Sequence, residues 1–345
     1  MPDLSRSPRR ASLRPSLRPS LRLHAPRPRL RTPHRARPDG LATLGDLLLD
    51  IVVVSVEPLE RGTDVPGTVR FRPGGSAANV ARAFSRLGGH ATFIGAVGAD
   101  AWGRRLTSSL RADGVRVHVV TTAASTGRLV AIVERGSGER SFITERGAAD
   151  ALTARDVRPA WLRGVGALHL PGYSLFNQPL GGAAARAAEL AHARGVLLSI
   201  DLASVGPLLS AGRRSTWSRI QALAPHLILA NTAEAAALAG RLGAPRLLEL
   251  APVVVVKEGA EGCRVLWREE GSERTAQQAV ATAPIAATDT TGAGDAFAAG
   301  FLKVLIASGA AAASPWGAAT LRRAALGGHA AAAQLLRSPR TELVL

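Results

Sequence analysis

The residues best suited to chemistry stand near the end of the chain, in Asp289-Thr290-Thr291-Gly292-Ala293-Gly294-Asp295, ahead of an apolar, helix-compatible run to Ile306. A Gly-Ala-Gly turn lets a ligand come close to the backbone, because no bulky Cβ stands in the way. A helix starting here leaves its first N–H groups without partners inside the helix, at the positive end of its dipole. That is a place for a phosphate or a developing anion. Asp295 adds a base at the same point. An anion hole beside a carboxylate suits phosphoryl transfer to a hydroxyl. The N–H groups of Gly292, Ala293 and Gly294 hold the moving group, and Asp295 accepts the hydroxyl proton. The plainer alternative is a glycine-rich loop before a packed helix, with Asp295 as its cap.

A second cluster lies far upstream. Asp46 and Asp50 interrupt the apolar stretch from Leu44 to Val54. A charge in an apolar strand is costly unless it is paired or faces a site. Gly74 and Gly75 then permit close backbone approach, and Asn79 both donates and accepts, which suits a sugar hydroxyl. The plainer alternative is an Asp at a strand end capping a turn, and a capped helix with Asn79 on its solvent face.

These residues need a frame. Leu44–Val54 reads as one buried strand, and Glu57–Pro73 as short, partly exposed ones. Gly74–Gly89 reads as a loop and a helix, which Ser76 caps and Gly88 ends, with Val80, Phe84 and Leu87 on one face. Ala91–Val97 is a strand, Asp100 caps a helix ending near Gly114, and Val115–Val120 is the next strand. This βαβ alternation predicts a parallel sheet. Arg128–Ile143 alternates around Arg135-Gly136-Ser137-Gly138, a hairpin signal. Arg140 and Arg146 there either reach a polar substrate or are simply solvated. Strands follow at Val165–Leu170, Val196–Asp201, Leu227–Ala230 and Val253–Val256, with a helix over Ala183–Arg194. Asp201 and Ser204 fall at a strand's carboxyl end, where open α/β sheets place ligands. A peripheral hairpin (Val265–Arg268, Gln278–Ala281) and an alanine-rich helix (Leu321–Leu336) complete the pattern.

The two glycine motifs, Gly74-Gly75-Ser76-Ala77-Ala78-Asn79 with Leu87-Gly88-Gly89, and Asp289 to Asp295, resemble the two signatures of the ribokinase-like (PfkB) family of carbohydrate kinases. They come in the family's order, and the resemblance spans roughly Leu41 to Leu336. It implies a ribokinase-like α/β fold: a mostly parallel sheet flanked by helices, with a small β-sheet lid from about 52–73 and 124–147. It implies an ATP-dependent kinase acting on a hydroxyl, above all the primary alcohol of a sugar, with a nucleoside as the alternative acceptor. Asp50, Gly74, Gly75 and Asn79 then hold the acceptor. Asn231 and Glu234 match an Asn-x-x-Glu motif of the magnesium and phosphate region, with Glu234 reaching Mg²⁺ through water, since this ion keeps several waters. Lys257 and Gly259 match a turn near the ATP phosphates or ribose, and His329 the helix that approaches adenine. K⁺ is left open. In cation-activated members a small-residue turn after the last helix supplies ligands beside residues matching Asp289 and Thr291, and Ser338–Leu345 shows no such turn. A cytoplasmic enzyme is implied, and a homodimer through the lid is compatible with the resemblance.

The bulk numbers limit other classes. The formal net charge is +17, and the eleven arginines of residues 1–40, against Asp3 and Asp39, supply +9 of it. That segment repeats Ser-Leu-Arg-Pro, is rich in proline and has no aromatics, so it reads as a disordered basic tail before a single kinase domain over 41–345. It is an extension without function, an organelle transit peptide or an arm for an acidic surface. Two further classes stand beside the kinase: a nucleic-acid-binding protein using this tail, and a sugar-binding protein without turnover. The intact Asp295 argues against the second, and no nucleic-acid partner is expected. Cys263 is the single cysteine, so no internal disulfide forms. No apolar run reaches the ~18 residues a membrane helix needs. Neither lysine follows a glycine, which excludes a P-loop, and Phe297 stands where a dinucleotide fingerprint needs glycine.

Overall fold

The structure is a computed structural model and describes residues 38–134, 140–269, 274–287, 289–309 and 316–343. The single strand expected over Leu44–Val54 is two. β1 (Gly40–Leu44) lies in a large sheet, the chain turns at Gly45-Asp46-Leu47, and β2 (Leu48–Ser55) lies in a small one. Residues on both sides of the turn are equally apolar, so hydropathy alone does not mark the change of sheet.

The chain continues through β3 (Gly67–Gly74), α1 (Ser76–Arg86), β4 (Ala91–Gly98), α2 (Ala101–Ala112), β5 (Arg116–Thr122), β6 (Arg128–Glu134) and β7 (Arg140–Glu145). Then come β8 (Val165–Pro171), α3 (Tyr173–Phe176), α4 (Leu180–His192), β9 (Leu197–Asp201), α5 (Val205–Leu209), α6 (Arg213–Leu223), β10 (Leu227–Asn231) and α7 (Thr232–Ala239). The last elements are β11 (Val253–Lys257), β12 (Cys263–Arg268), β13 (Thr275–Val280), α8 (Ala293–Ala307) and α9 (Ala318–Arg337). The Arg135–Gly138 turn expected between β6 and β7 lies outside the described residues.

Among the described residues the large sheet has nine strands in the order β13-β12-β11-β10-β9-β8-β1-β4-β5. It is parallel from β11 to β5, and β12 and β13 form the expected antiparallel hairpin at its edge. Parallel strands are covered on both faces, which is why Leu-Ile-Leu-Ala in β10 and Val-Val-Val-Val in β11 run apolar without alternation. One face packs on α4 and α7, the other on α1, α2, α8 and α9. Cys263 is buried under the second face, and burial pushes its thiol up to about 12.

The small sheet, the lid, has the order β3-β2-β6-β7, and β2 brings Leu48 to Ile51 into it ahead of the segment 52–73. Even positions of β2 and β3 and odd positions of β6 share one face, including Asp50, Val52, Arg72 and Ala131. The segment after α9 is tied to this sheet: Leu343 N–H donates to the Phe71 carbonyl at 2.7 Å, and Arg70 pairs with Glu342 at 2.7 Å. No helix among the described residues is long and apolar enough to cross a membrane.

Candidate active site

α8 starts at Gly292, whose φ of 79° is left-handed and free of strain only for glycine. This tight turn closes with a bond from Ala293 N–H to the Thr290 carbonyl at 3.1 Å. Ala293, expected to offer its N–H to an anion, therefore has that group engaged. The N–H groups of Gly294 and Asp295 have no carbonyl before them in the helix. Asp295 receives Ser76 Oγ at 2.7 Å and Asn79 Nδ2 at 3.0 Å. Both donors sit in the first turn of α1, so one helix start presents two donors to one carboxylate. Ser76 is not the cap of α1, since Gly75 holds that position, and this leaves its hydroxyl to Asp295. Burial raises the Asp295 carboxyl to about 7; the two donors pull it down, Asp201 pushes it up and Lys257 pulls it down.

Gly75, at φ 97°, backs onto Asp46, where a Cβ would strike the Asp46 carbonyl. A Cβ on Gly74 would strike the Asp50 carboxylate. The double glycine thus brings the start of α1 against Asp46 of the β1–β2 turn and Asp50 of β2. Asp50 Oδ1 is buried and accepts no bond among the described residues. Burial, then the charges of Asp46 and Asp295, push Asp50 up to about 7. Arg82 Nη1 donates to Asn79 Oδ1 at 3.2 Å, which turns the Asn79 amide nitrogen toward Asp295. Asp50, Asn79 and Gly292 line a cleft of about 820 Å³ beneath the lid, with Val52, Ala131 and Phe142 on its lid wall.

The strand ends on the far side of Asp295 carry a second group. Lys257, closing β11, pairs with Asp201, closing β9, at 2.5 Å. Burial draws Lys257 down, and Asp201 more than reverses this, so the ammonium stays charged. A Cβ on Gly294 would lie 3.3 Å from Lys257 Nζ, which places the ammonium beside the glycine loop. Asn231 and Glu234 form a reciprocal capping box on α7, each accepting the other's backbone N–H at 2.8 Å. Asn231 Nδ2 also donates to Glu234 Oε1 at 2.7 Å. Both carboxylate oxygens of Glu234 therefore already have donors. Burial raises Glu234, and the Asp201 charge adds to the rise. Gly259 sits at φ 63° with no atom within 4 Å of an added Cβ.

Residues 39–344 match the family model described as pfkB family carbohydrate kinase. The chain belongs to the pfkB family. Fructokinase-1 of Oryza sativa subsp. japonica is 30% identical over 287 residues, covering 78% of this chain and 84% of that protein. The crystal structure of adenosine kinase from Sinorhizobium meliloti superposes with a TM-score of 0.72 at 24% identity, over 87% of this chain and 94% of that one. A putative ribokinase II from E. coli, in complex with ATP and Mg²⁺, gives 0.70 at 23% identity, over 88% and 94%. The fold is that of the ribokinase-like kinases, and this pfkB member is a phosphotransferase of the carbohydrate kinase class.

Some expected residues of the pfkB kinase already have partners within the protein. His329 Nε2 bonds the Val280 carbonyl at 3.0 Å, and its ring stands edge-on to Phe297 at 5.2 Å, so it braces α9 against β13 and α8. Arg146 is not simply solvated: it bonds Asp150 at 2.6 Å, stands 3.6 Å from Asp46 and lies over Tyr173. Asp289 and Thr291, the matches to monovalent-cation ligands, meet guanidinium groups. Asp289 Oδ2 receives Arg72 Nη1 at 2.8 Å and lies 3.5 Å from Arg340 Nε. The Asp289 carbonyl receives Arg340 Nη2 at 2.6 Å, and Oδ1 receives Thr291 N–H at 3.0 Å. Sequence reasoning missed Ser76 toward Asp295, Arg82 toward Asn79 and Arg340 toward Asp289. The only signal for the first was its place in the glycine motif, and the other two carried none.

Proposed function

We propose that this kinase transfers the γ-phosphoryl group of ATP to a sugar hydroxyl, most of all a primary alcohol. The observation that carries this is the convergence of a carboxylate raised to about 7, Asp295, with the first turn of α8 and the Lys257 ammonium. A base with pKa near the working pH combines the unprotonated form with real proton affinity. Asp295 takes the proton from the acceptor hydroxyl as the oxygen attacks phosphorus. Ser76 and Asn79 hold its two oxygens. The N–H groups of Gly294 and Asp295, with Lys257, stabilise charge on the phosphoryl oxygens. Asp50 and Asn79 orient the acceptor, with the buried Asp50 Oδ1 taking a hydroxyl donor.

The residues fit a nucleotide: Lys257 offers a cation, and the open Gly259 turn admits close approach. For Mg²⁺ they fit only a hydrated ion. Among the described residues no three His, Cys, Asp or Glu side chains converge on one point, and the Glu234 oxygens are engaged. Glu234 would then reach the ion through water. When bound, Mg²⁺ supplies neutralising charge to the phosphate oxygens. ATP use makes the cytoplasm the expected compartment. A nucleoside is the second reading, favoured by the apolar lid wall of Val52, Ala131 and Phe142, which suits a base. Exposed Val69 and Ile143 on the outer lid face support a homodimer there, and a monomer in sedimentation equilibrium would remove it.

An ATP-consumption screen with Mg²⁺ over ketoses, aldoses and nucleosides tests the whole. Turnover with a sugar is expected. Turnover confined to nucleosides moves the acceptor class, and none with any acceptor removes the kinase reading.

A further inference from the structure

Asp289 opens the loop that leads through Gly292 to Asp295. Its backbone carbonyl and its side chain are the oxygens that a monovalent cation in this loop would need. Each of the three oxygens already has a donor: Oδ2 has Arg72, Oδ1 has the Thr291 N–H, and the carbonyl has Arg340. Arg340 takes part twice, through Nη2 on the carbonyl at 2.6 Å and through Nε 3.5 Å from Oδ2. Its side chain is 19% exposed and that of Asp289 29%, so the pair is largely out of water. Guanidinium is permanently charged and rigid. K⁺ at the same oxygens would meet two fixed positive charges and would have to displace charge-assisted hydrogen bonds. The residues do not fit a monovalent cation.

We propose that the Arg340 guanidinium is a built-in replacement for a monovalent cation, a positioning residue that sets the Asp289–Thr291 turn and so the glycine loop behind it. The inference rests on the phosphotransfer reading of that loop. Arg340 belongs to the segment beyond α9, where Ser338-Pro339-Arg340 stands in place of a small-residue turn. The segment is anchored on both sides of Arg340, to α9 through Ser338 N–H on the Leu335 carbonyl at 3.1 Å, and beyond Arg340 to α1 and to β3 of the lid. Arg86 Nη2 donates to Thr341 Oγ1 at 3.2 Å, and Leu343 N–H donates to Phe71. The charge is therefore delivered by covalent attachment, and salt composition should not govern its presence.

The test compares full-length wild type, Arg340→Ala and Arg340→Lys in KCl and in choline chloride at equal ionic strength. Turnover and melting temperature are both read. Wild type should keep its kcat within about two-fold between the salts, and K⁺ should not raise its melting temperature above the choline value. Arg340→Ala should lose on the order of ten-fold or more in choline, because small displacements of a reacting loop are costly. K⁺ or added guanidinium should restore part of the loss, and K⁺ should raise its melting temperature. Arg340→Lys should stay indifferent to K⁺, and it carries the test if the alanine variant does not fold. Strong K⁺ stimulation of wild type overturns the proposal. So does full activity of Arg340→Ala in choline, or a loss that neither cation relieves. If wild type turns over no acceptor in either salt, the phosphotransfer reading fails instead, and the melting comparison still decides whether Arg340 excludes K⁺.

Discussion

Asp295 and Asp50 are two buried carboxyls both raised to about 7, and each adds to a common cost of keeping charge in one pocket. Asp295→Asn keeps size and hydrogen bonding but removes the proton acceptor. Its kcat should fall ~10²–10⁴-fold while both KM values change little. A capping role alone would leave turnover near normal, since Asn caps as well as Asp. Wild-type kcat/KM should fall as pH drops through about 7, as Asp295 takes up a proton. Stability should move the other way. A carboxyl whose folded pKa lies above its unfolded value of 3.8 binds more protons when folded, so stability declines as pH rises from about 4 to 7. Melting temperatures at pH 5 and 8 should show this decline, and it should shrink in Asp295→Asn. Asp50→Ala should raise acceptor KM by a factor corresponding to about 1.5–3 kcal/mol and leave ATP KM alone. A rise in ATP KM instead would reverse the two subsites. These residues were visible in the sequence because each sits inside a short motif. Their partners were not: Ser76 lies 219 residues from Asp295 and Arg72 lies 217 from Asp289, and no local spacing reports such pairs.

At the scale of elements, the site depends on how α1 and α8 begin. Both start at a left-handed glycine, and at Gly75 the carbonyl of Asp46 leaves no room for a Cβ. Gly75→Ala should cost about 1–3 kcal/mol of stability from backbone strain, with added loss from the clash. Its activity should fall further than its melting temperature implies, because Ser76 and Asn79 would shift away from Asp295. Denaturant titration beside steady-state kinetics separates the two effects. Most elements were legible from periodicity: the helix capped by Asp100, the βαβ order and the edge hairpin all stand where alternation and turn residues put them. The β1–β2 turn was not legible, because a strand that leaves one buried sheet for another keeps its apolar character. The capping box of Asn231 and Glu234 was legible as a helix start, and its chemistry was not, since one pattern serves both.

At the scale of the molecule, family membership covers residues 39–344, and residues 1–40 hold eleven arginines. A chain beginning at residue 38 should melt within a few degrees of the full chain and keep its kcat/KM. A large loss of either would give the tail a part in the enzyme. The whole-chain charge of +17 is unevenly placed, because eleven of its arginines fall in that one stretch. The far end of the chain is different, because Leu343 bonds the edge strand of the lid. That attachment offers a handle for spectroscopy. The lone native thiol, Cys263, is 1% exposed and held protonated at neutral pH, so alkylating dyes should ignore it. A Glu342→Cys variant would then take a single fluorophore or spin label beside Arg70, and its signal would follow the lid in real time as acceptor enters and product leaves.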